Sequence, residues 1–281
     1  MKVPVVLLVG AVLGCTPSAK LPARPALAPD SVALFPAEEF EEGIDAGTQS
    51  PNGASGWWVN EEPEHRVMLS TFRLEKNEVT VAQYAEFLRW AGGLGHYSSL
   101  MPIAVGPTQD DFAPKPGMAD RPMNDVTWYD ARAYCLWMGG DLPTEAQWEY
   151  AAKGASGRQY PWGSAAPDCQ HAVFYPGGET LCSPAPEPVD SHPKGDTPEG
   201  LHDMAGNVAD WVLDHYGWYP GTDGGTVPVE QDPSGPDGGT LRVVRGGGYR
   251  DVERSLRTTN RWGADPALRS DGVGFRCAYS G

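Results

Sequence analysis

Residues 121–154 read RPMNDVTWYDARAYCLWMGGDLPTEAQWEYAAKG, and two helices are written into them together with their ends. Thr127 and Asp130 stand at the spacing of a capping box, where each side chain takes a backbone N–H of the other's residue. Gly139 and Gly140 close that helix, because glycine enters the left-handed conformation that ends a helix without steric cost. Thr144 and Gln147 repeat the device for a second helix, which Gly154 closes. Ala131, Cys135 and Met138 fall on one face, the face expected to meet a core. Upstream, TVAQYAEFLRWAGG (80–93) has the same grammar. Thr80 and Gln83 open it, Gly92 and Gly93 stop it, and Val81, Tyr84 and Leu88 form its apolar stripe.

Outside these helices the pattern is short strands and long loops. Val67, Leu69 and Phe72–Leu74 read as strands, as do LRVVRGGGY (241–249) and GVGFRCAYS (272–280). The segments at 160–190 and 222–240 are rich in Gly and Pro. With 35 Gly and 27 Pro in 281 residues, these two types exceed a fifth of the chain, so irregular backbone dominates. There is no internal repeat. The expectation is one large, irregular, loop-rich α+β domain over 61–281, stapled by disulfides.

The N-terminus reads MKVPVVLLVGAVLGCTPSAK. One lysine precedes an apolar run, Val3 to Leu13, which is too short to span a bilayer and has the length of a signal-peptide core. Val12-Leu13-Gly14-Cys15 resembles a bacterial lipobox, which would make residues 1–15 a signal and Cys15 the lipidated residue. An ordinary cleaved signal and a buried N-terminal helix are the other readings. Thr16 after the cysteine favours the outer membrane of a Gram-negative cell, facing periplasm or cell surface. Residues 16–60 are rich in Pro, Ala and acidic residues and read as a tether.

Export fits the cysteine count. Apart from Cys15 there are four: Cys135, Cys169, Cys182 and Cys277. Four cysteines in an exported chain read as two disulfides, with three connectivities open, or as one bridge and two buried thiols. The short loop between Cys169 and Cys182 makes them the natural local pair, which would leave Cys135 and Cys277 to tie mid-chain to the end. A formal charge of -16 argues against nucleic acid and against electrostatic attraction to anionic lipid. No CxxC, HExxH, G-x-S-x-G or P-loop is present.

The pieces NEVTVAQYAEFL, RPMNDVTWYDARAYCLWMGGDLPTEAQWEYAAKG, YPWG, GLHDMAGNVADW, VVRGGGY and GVGFRCA occur in this order. Together they resemble the formylglycine-generating enzyme, or sulfatase-modifying factor, family over Pro63 to Ser280. The resemblance implies an irregular relative of the C-type lectin fold. It also implies a disulfide between the cysteine of AYC (Cys135) and that of GFRCA (Cys277). Active members oxidise a sulfatase cysteine to formylglycine with O2, using two cysteines after RGGS that hold copper. Soft thiolates suit Cu(I). Here the segment is RGGGYRDVERSLRTTNR, without a cysteine, and Asp251, Glu253 and Ser255 are no substitute. Copper is therefore not expected, nor are catalytic residues for that reaction.

The family resemblance further implies a calcium site on DMAGNVAD: the carboxylates of Asp203 and Asp210 with the carbonyls of Gly206 and Val208. Hard oxygens from one tight loop suit that ion. Eight arginines and no lysine lie between Arg242 and Arg276. Planar guanidinium groups in such number point to fixed bidentate pairing. Arg245, Arg257, Arg261 and Arg276 are expected to bind buried carboxylates and carbonyls. Arg250, Arg254 and Arg269, with Tyr249 and Trp262, are candidates for a pocket that takes an anionic or sugar-like ligand. Trp218-Tyr219 offers an aromatic rim. Three functional readings result: a tethered module that binds a protein, peptide or glycan, an enzyme of the same superfamily with other chemistry, and an accessory envelope lipoprotein.

Overall fold

A computed structural model describes residues 25–45, 58–91, 93, 95–108, 111–178, 180–221 and 227–281. The signal segment and Cys15 lie outside these. The elements in chain order are β1 (Val32–Phe35), β2 (Glu38–Glu42), β3 (His65–Leu69), β4 (Phe72–Glu75), α1 (Val81–Ala91), β5 (Ile103–Val105), β6 (Phe112–Pro114), α2 (Trp128–Met138), α3 (Glu145–Lys153), β7 (Ala209–His215), β8 (Glu230–Gln231), β9 (Arg242–Arg245), β10 (Arg261–Ala264), β11 (Val273–Gly274) and β12 (Ala278–Ser280). They form sheets ordered β1-β4-β12, β10-β9-β7-β11 and β2-β3-β8, and a β5-β6 hairpin.

The three helices begin where their hydroxyls stand. Thr127 accepts from the backbone N–H of Asp130, and the Asp130 carboxylate accepts from that of Thr127. Thr144 and Gln147 do the same for α3, and Thr80 with Gln83 for α1. Gly139 at φ 85° ends α2, and Gly93 ends α1 by donating to the Leu88 carbonyl at 2.8 Å.

Two apolar cores follow. One gathers α1, α2 and the chain end, where Tyr84, Phe87, Tyr134 and Phe275 meet edge to face or stacked within 6.2 Å. The other sets Trp148 of α3 against Phe72, Leu74, Val212 and Val243. Cys135 of α2 is bonded to Cys277, and Cys169 to Cys182. Among the described residues no helix is long and apolar enough to cross a membrane.

The folded part begins earlier than residue 61. β1 pairs with β4 from Val32↔Glu75 to Phe35↔Phe72, and β2 pairs with β3 from Glu38↔Leu69 to Glu42↔His65. Val32–Phe35 and Glu38–Glu42 are thus strand, not tether. Alternation hidden in an acidic, Pro-flanked stretch is responsible: Ala33, Phe35 and Phe40 point inward, and Phe40 meets Tyr150 at 5.1 Å.

The arginine-rich end works as an internal frame. Arg245 and Arg276 are completely buried, and Arg257 and Arg261 nearly so. Arg245 binds Glu149 at 2.6 Å and the carbonyls of Thr258 and Thr259. Arg261 grips Glu145 with two contacts of 2.7 Å, and Arg257 grips Glu61 with two of 2.6 Å. Arg276 binds Asp210 at 2.8 Å and the carbonyls of Lys76 and His202. Removing one partner of such a pair leaves an uncompensated buried charge. Glu61→Ala is expected to destabilise the protein by about 3–5 kcal/mol, and Glu61→Ala with Arg257→Met by clearly less. Chemical denaturation of the two variants checks this, and equal losses would show that the charge pairing is not what matters there.

Candidate functional site

Beside the C-terminal frame lies a cleft of about 210 Å3. Tyr249, just past the Gly246–Gly247 turn, forms its floor together with Asp271. The Tyr249 hydroxyl donates to Asp271 Oδ2 at 2.7 Å. Burial and this acceptor push the phenol up to about 12, so it stays protonated and acts as a donor. Arg250 lies over the Tyr249 ring and pairs with Asp271 at 3.1 Å. Asn124 fixes the Asp271 backbone through its carbonyl at 3.0 Å.

The opposite wall brings Lys115, Arg121 and Asp125. Lys115 donates to the Met101 carbonyl at 2.8 Å, and Arg121 to the Pro186 carbonyl. Burial raises the Asp125 carboxyl above its ordinary value, and the nearby Asp271 charge adds to this. Leu100, Met118 and Pro122 supply apolar wall. The cleft is amphipathic, with hydroxyl, carboxylate, amide and cationic groups around apolar surface. That composition suits a short peptide or a sugar.

The sequence-predicted pocket residues divide. Tyr249 lines the cleft, and Arg250 reaches it through Asp271. Arg269 is committed behind it: it donates to the Asp125 carbonyl at 2.8 Å and pairs with Asp130 at 2.8 Å. Burial opposes ionisation of Asp130, yet His96, Thr127 and Arg269 together hold its carboxyl below the usual range. Arg269 thus secures the cap of α2. Arg254 is exposed on the turn at 253–256 and is not part of the cleft wall. Trp262 is not there either. It lies opposite Val244 in the β10–β9 pair and packs on the apolar core, because strand alternation turns it inward. Lys115, Arg121 and Asp125 were not singled out from the sequence. They come from loops far from Tyr249 in the chain, and no local spacing announces them.

The residues do not fit a copper–thiolate centre. All four cysteines among the described residues are in disulfides, and Asp251, in the segment after RGGG, accepts from the Gly248 N–H at 2.8 Å. The Asp203–Asp210 loop has a different character. Asp203, Gly206 and Asn207 all adopt positive φ, which makes a tight turn. Glu78, which sequence reasoning missed, joins them: it is buried and accepts from Asn207 and from the Val208 N–H. Its only signal was its place in NEVT. Asp210 Oδ2 accepts from Trp148 and Arg276, while its buried Oδ1 has no hydrogen-bond donor. Burial raises Glu78 well above its ordinary range, and Asp203 and Asp210 raise it further. Three carboxylates share one guanidinium, Arg276.

Comparison with known proteins agrees with this frame. Residues 19–280 match the sulfatase-modifying factor enzyme 1-like domain, a match that starts well upstream of residue 61. Serine/threonine-protein kinase Pkn1 of Chlamydia trachomatis is 35% identical over 83% of this chain, which spans only 37% of that kinase. The chain thus covers about a third of the length of the chlamydial kinases it matches. The formylglycine-generating enzyme of Streptomyces coelicolor is 31% identical over 95% of this chain and 96% of that protein. The solved structure of PvdO from Pseudomonas aeruginosa superposes with a TM-score of 0.66 at 25% identity, covering 89% of this chain and 94% of that one. With its loop-rich α+β architecture of C-type-lectin-like type, its two disulfides and its ordered motifs, the chain belongs to the formylglycine-generating enzyme, or sulfatase-modifying factor, family.

Proposed function

We propose that this protein is a lipid-anchored, extracytoplasmic member of the family that binds a peptide or glycan of an envelope partner in the Tyr249–Asp271 cleft, without copper–thiolate oxidation. One observation carries the reading: every described cysteine is spent in a disulfide, and none lies between Arg245 and Arg276. Thiolate ligation of Cu(I) then lacks its donors. The Tyr249–Asp271 pair and the cleft's mixed walls support recognition instead. The copper-loaded full-length protein is expected to leave a Cys-x-Pro-x-Arg peptide unconverted under O2, beside an active control enzyme, by peptide mass. On peptide and glycan arrays it should retain a ligand that Asp271→Asn loses about tenfold or more. Conversion of the peptide, or array binding indifferent to Asp271, would overturn the reading.

The anchor rests on the Val12–Cys15 motif. Expressed in a Gram-negative host, the wild type should fractionate with the outer membrane and Cys15→Ser should not. Identical fractionation of the two would remove the anchor.

The Asp203–Asp210 loop is proposed to hold calcium through the two carboxylates and the Gly206 and Val208 carbonyls. The excess buried negative charge and the unpartnered Asp210 Oδ1 support it. A cation bound only by the folded state stabilises it by about 2.7 kcal/mol at a hundred times its dissociation constant. Calcium should therefore raise the melting temperature by several degrees, and Asp203→Ala should abolish that shift. An unchanged melting temperature with calcium in the wild type would refute the site.

A further inference from the structure

A second cavity, about 260 Å3, opens on another part of the molecule and shares no lining residue with the Tyr249 cleft. The ends of β2, β3 and α3 meet there with the stretch that follows β7. Its interior is a charge ledger with a remainder. Glu145 is neutralised by the two-contact grip of Arg261. Next to it, Glu149 is met by Arg245 and, at 3.4 Å, by Lys153. Glu42 and Asp214 have no such partner, and each is 3% exposed. Among the described residues the counter-group of Glu42 is His65, at 3.4 Å across the β2–β3 pair. Asp214 accepts the N–H of Glu145 at 2.8 Å, the first residue of α3. Among the described residues neither carboxylate forms an ion pair with a lysine or an arginine.

Buried carboxylates without a matching cation are costly. Burial first, and the Glu145 charge in addition, raise the Asp214 carboxyl well above its ordinary range. Glu42 is raised as well, chiefly by burial. The mouth of the same cavity is aromatic and stiff. Trp218 is 65% exposed, an unusual exposure for an indole, and Tyr219, Pro220 and Pro236 complete the wall. Arg261 lies 4.1 Å from the Tyr219 ring centre, so this wall already accommodates a cation against an aromatic face.

We propose that this cavity is a second binding site, which takes one alkylammonium or guanidinium group, the side chain of a lysine or arginine on a polypeptide partner. Glu42 and Asp214 supply the counter-charge, and Trp218 packs on the methylene stem at the entrance. The volume admits one such side chain and not a folded element. The acidic balance of the whole chain draws cationic partners toward it. The site does not depend on the Tyr249 cleft, and the two can fail separately.

The test titrates the full-length protein with N-acetyl-lysine methylamide, N-acetyl-arginine methylamide and their uncharged norleucine analogue. Intrinsic fluorescence, read as the difference between wild type and Trp218→Ala, and calorimetry are the readouts, and 1,5-diaminopentane distinguishes a free amine from a peptide-borne one. At least one cationic amino-acid probe should saturate below about 1 mM, the norleucine analogue should not, and the diamine should bind more weakly. Glu42→Gln and Asp214→Asn keep their hydrogen-bond acceptors, and each should weaken the cation about tenfold. Trp218→Ala, at an exposed position, should weaken it by several-fold without touching stability. Equal binding of the norleucine analogue would overturn the proposal. So would no saturation by either cationic probe, tighter binding of the diamine, or affinity unchanged in both Asp214→Asn and Trp218→Ala.

Discussion

Four guanidinium groups removed from water govern this molecule. A charge in a low-dielectric interior must be met by a counter-charge and have its donors satisfied, or the group is not tolerated there. Each pair therefore pins two segments that are far apart in the chain. Arg257 and Glu61 are 196 residues apart, Arg261 and Glu145 116, Arg245 and Glu149 96, and Arg276 and Asp210 66. Three helices and twelve short strands among the described residues would not by themselves fix loops of such length. The pairs add little net stability over apolar packing of the same volume, but they discriminate sharply between one arrangement and its alternatives. The Cys135–Cys277 bond acts in the same direction, tying α2 to the chain end from which Arg276 reaches inward.

This use of residues limits what remains for chemistry. The arginines of the last forty residues are mostly consumed inside, so the cleft takes its cations from Lys115 and Arg121 in a different part of the chain. Both are themselves bonded to backbone carbonyls and are held in place. The thiols are consumed in the same way. What is left around Tyr249 is a set of donors and acceptors over apolar surface.

The sequence was legible where the signal was local. Capping hydroxyls and terminal glycines placed all three helices, because a helix end is settled within four residues. Arg245, Arg257, Arg261 and Arg276 were readable as internal because no lysine accompanied them. Legibility ended where partners come from afar. The alternation of Val32–Phe35 and Phe40 was masked by acidic and proline neighbours, and only pairing with β4 and β3 makes it a strand. Trp262 and Arg269 looked like pocket residues because aromatic and cationic groups are common in pockets. Their actual direction follows from sheet register and from the α2 cap, neither of which a linear spacing contains. Glu61, the partner of Arg257, stood at the first position of the expected domain, with nothing local to mark it as buried.

Two places in the molecule hold more carboxylate than their guanidinium groups can offset, and their surroundings differ. Around Asp203, Glu78 and Asp210 the walls are tight backbone at positive φ, with carbonyls close by and Arg276 packed in. The oxygens there are hard, which is why calcium is the ion proposed for that loop. Around Glu42 and Asp214 the walls are indole, phenol and proline rings with an open mouth. A hydrated metal ion gains nothing from those rings, whereas an alkylammonium or guanidinium group gains from both the carboxylates and the aromatic faces. The same electrostatic excess thus leads to different partners, because the neighbours of the carboxylates decide which cation can approach them.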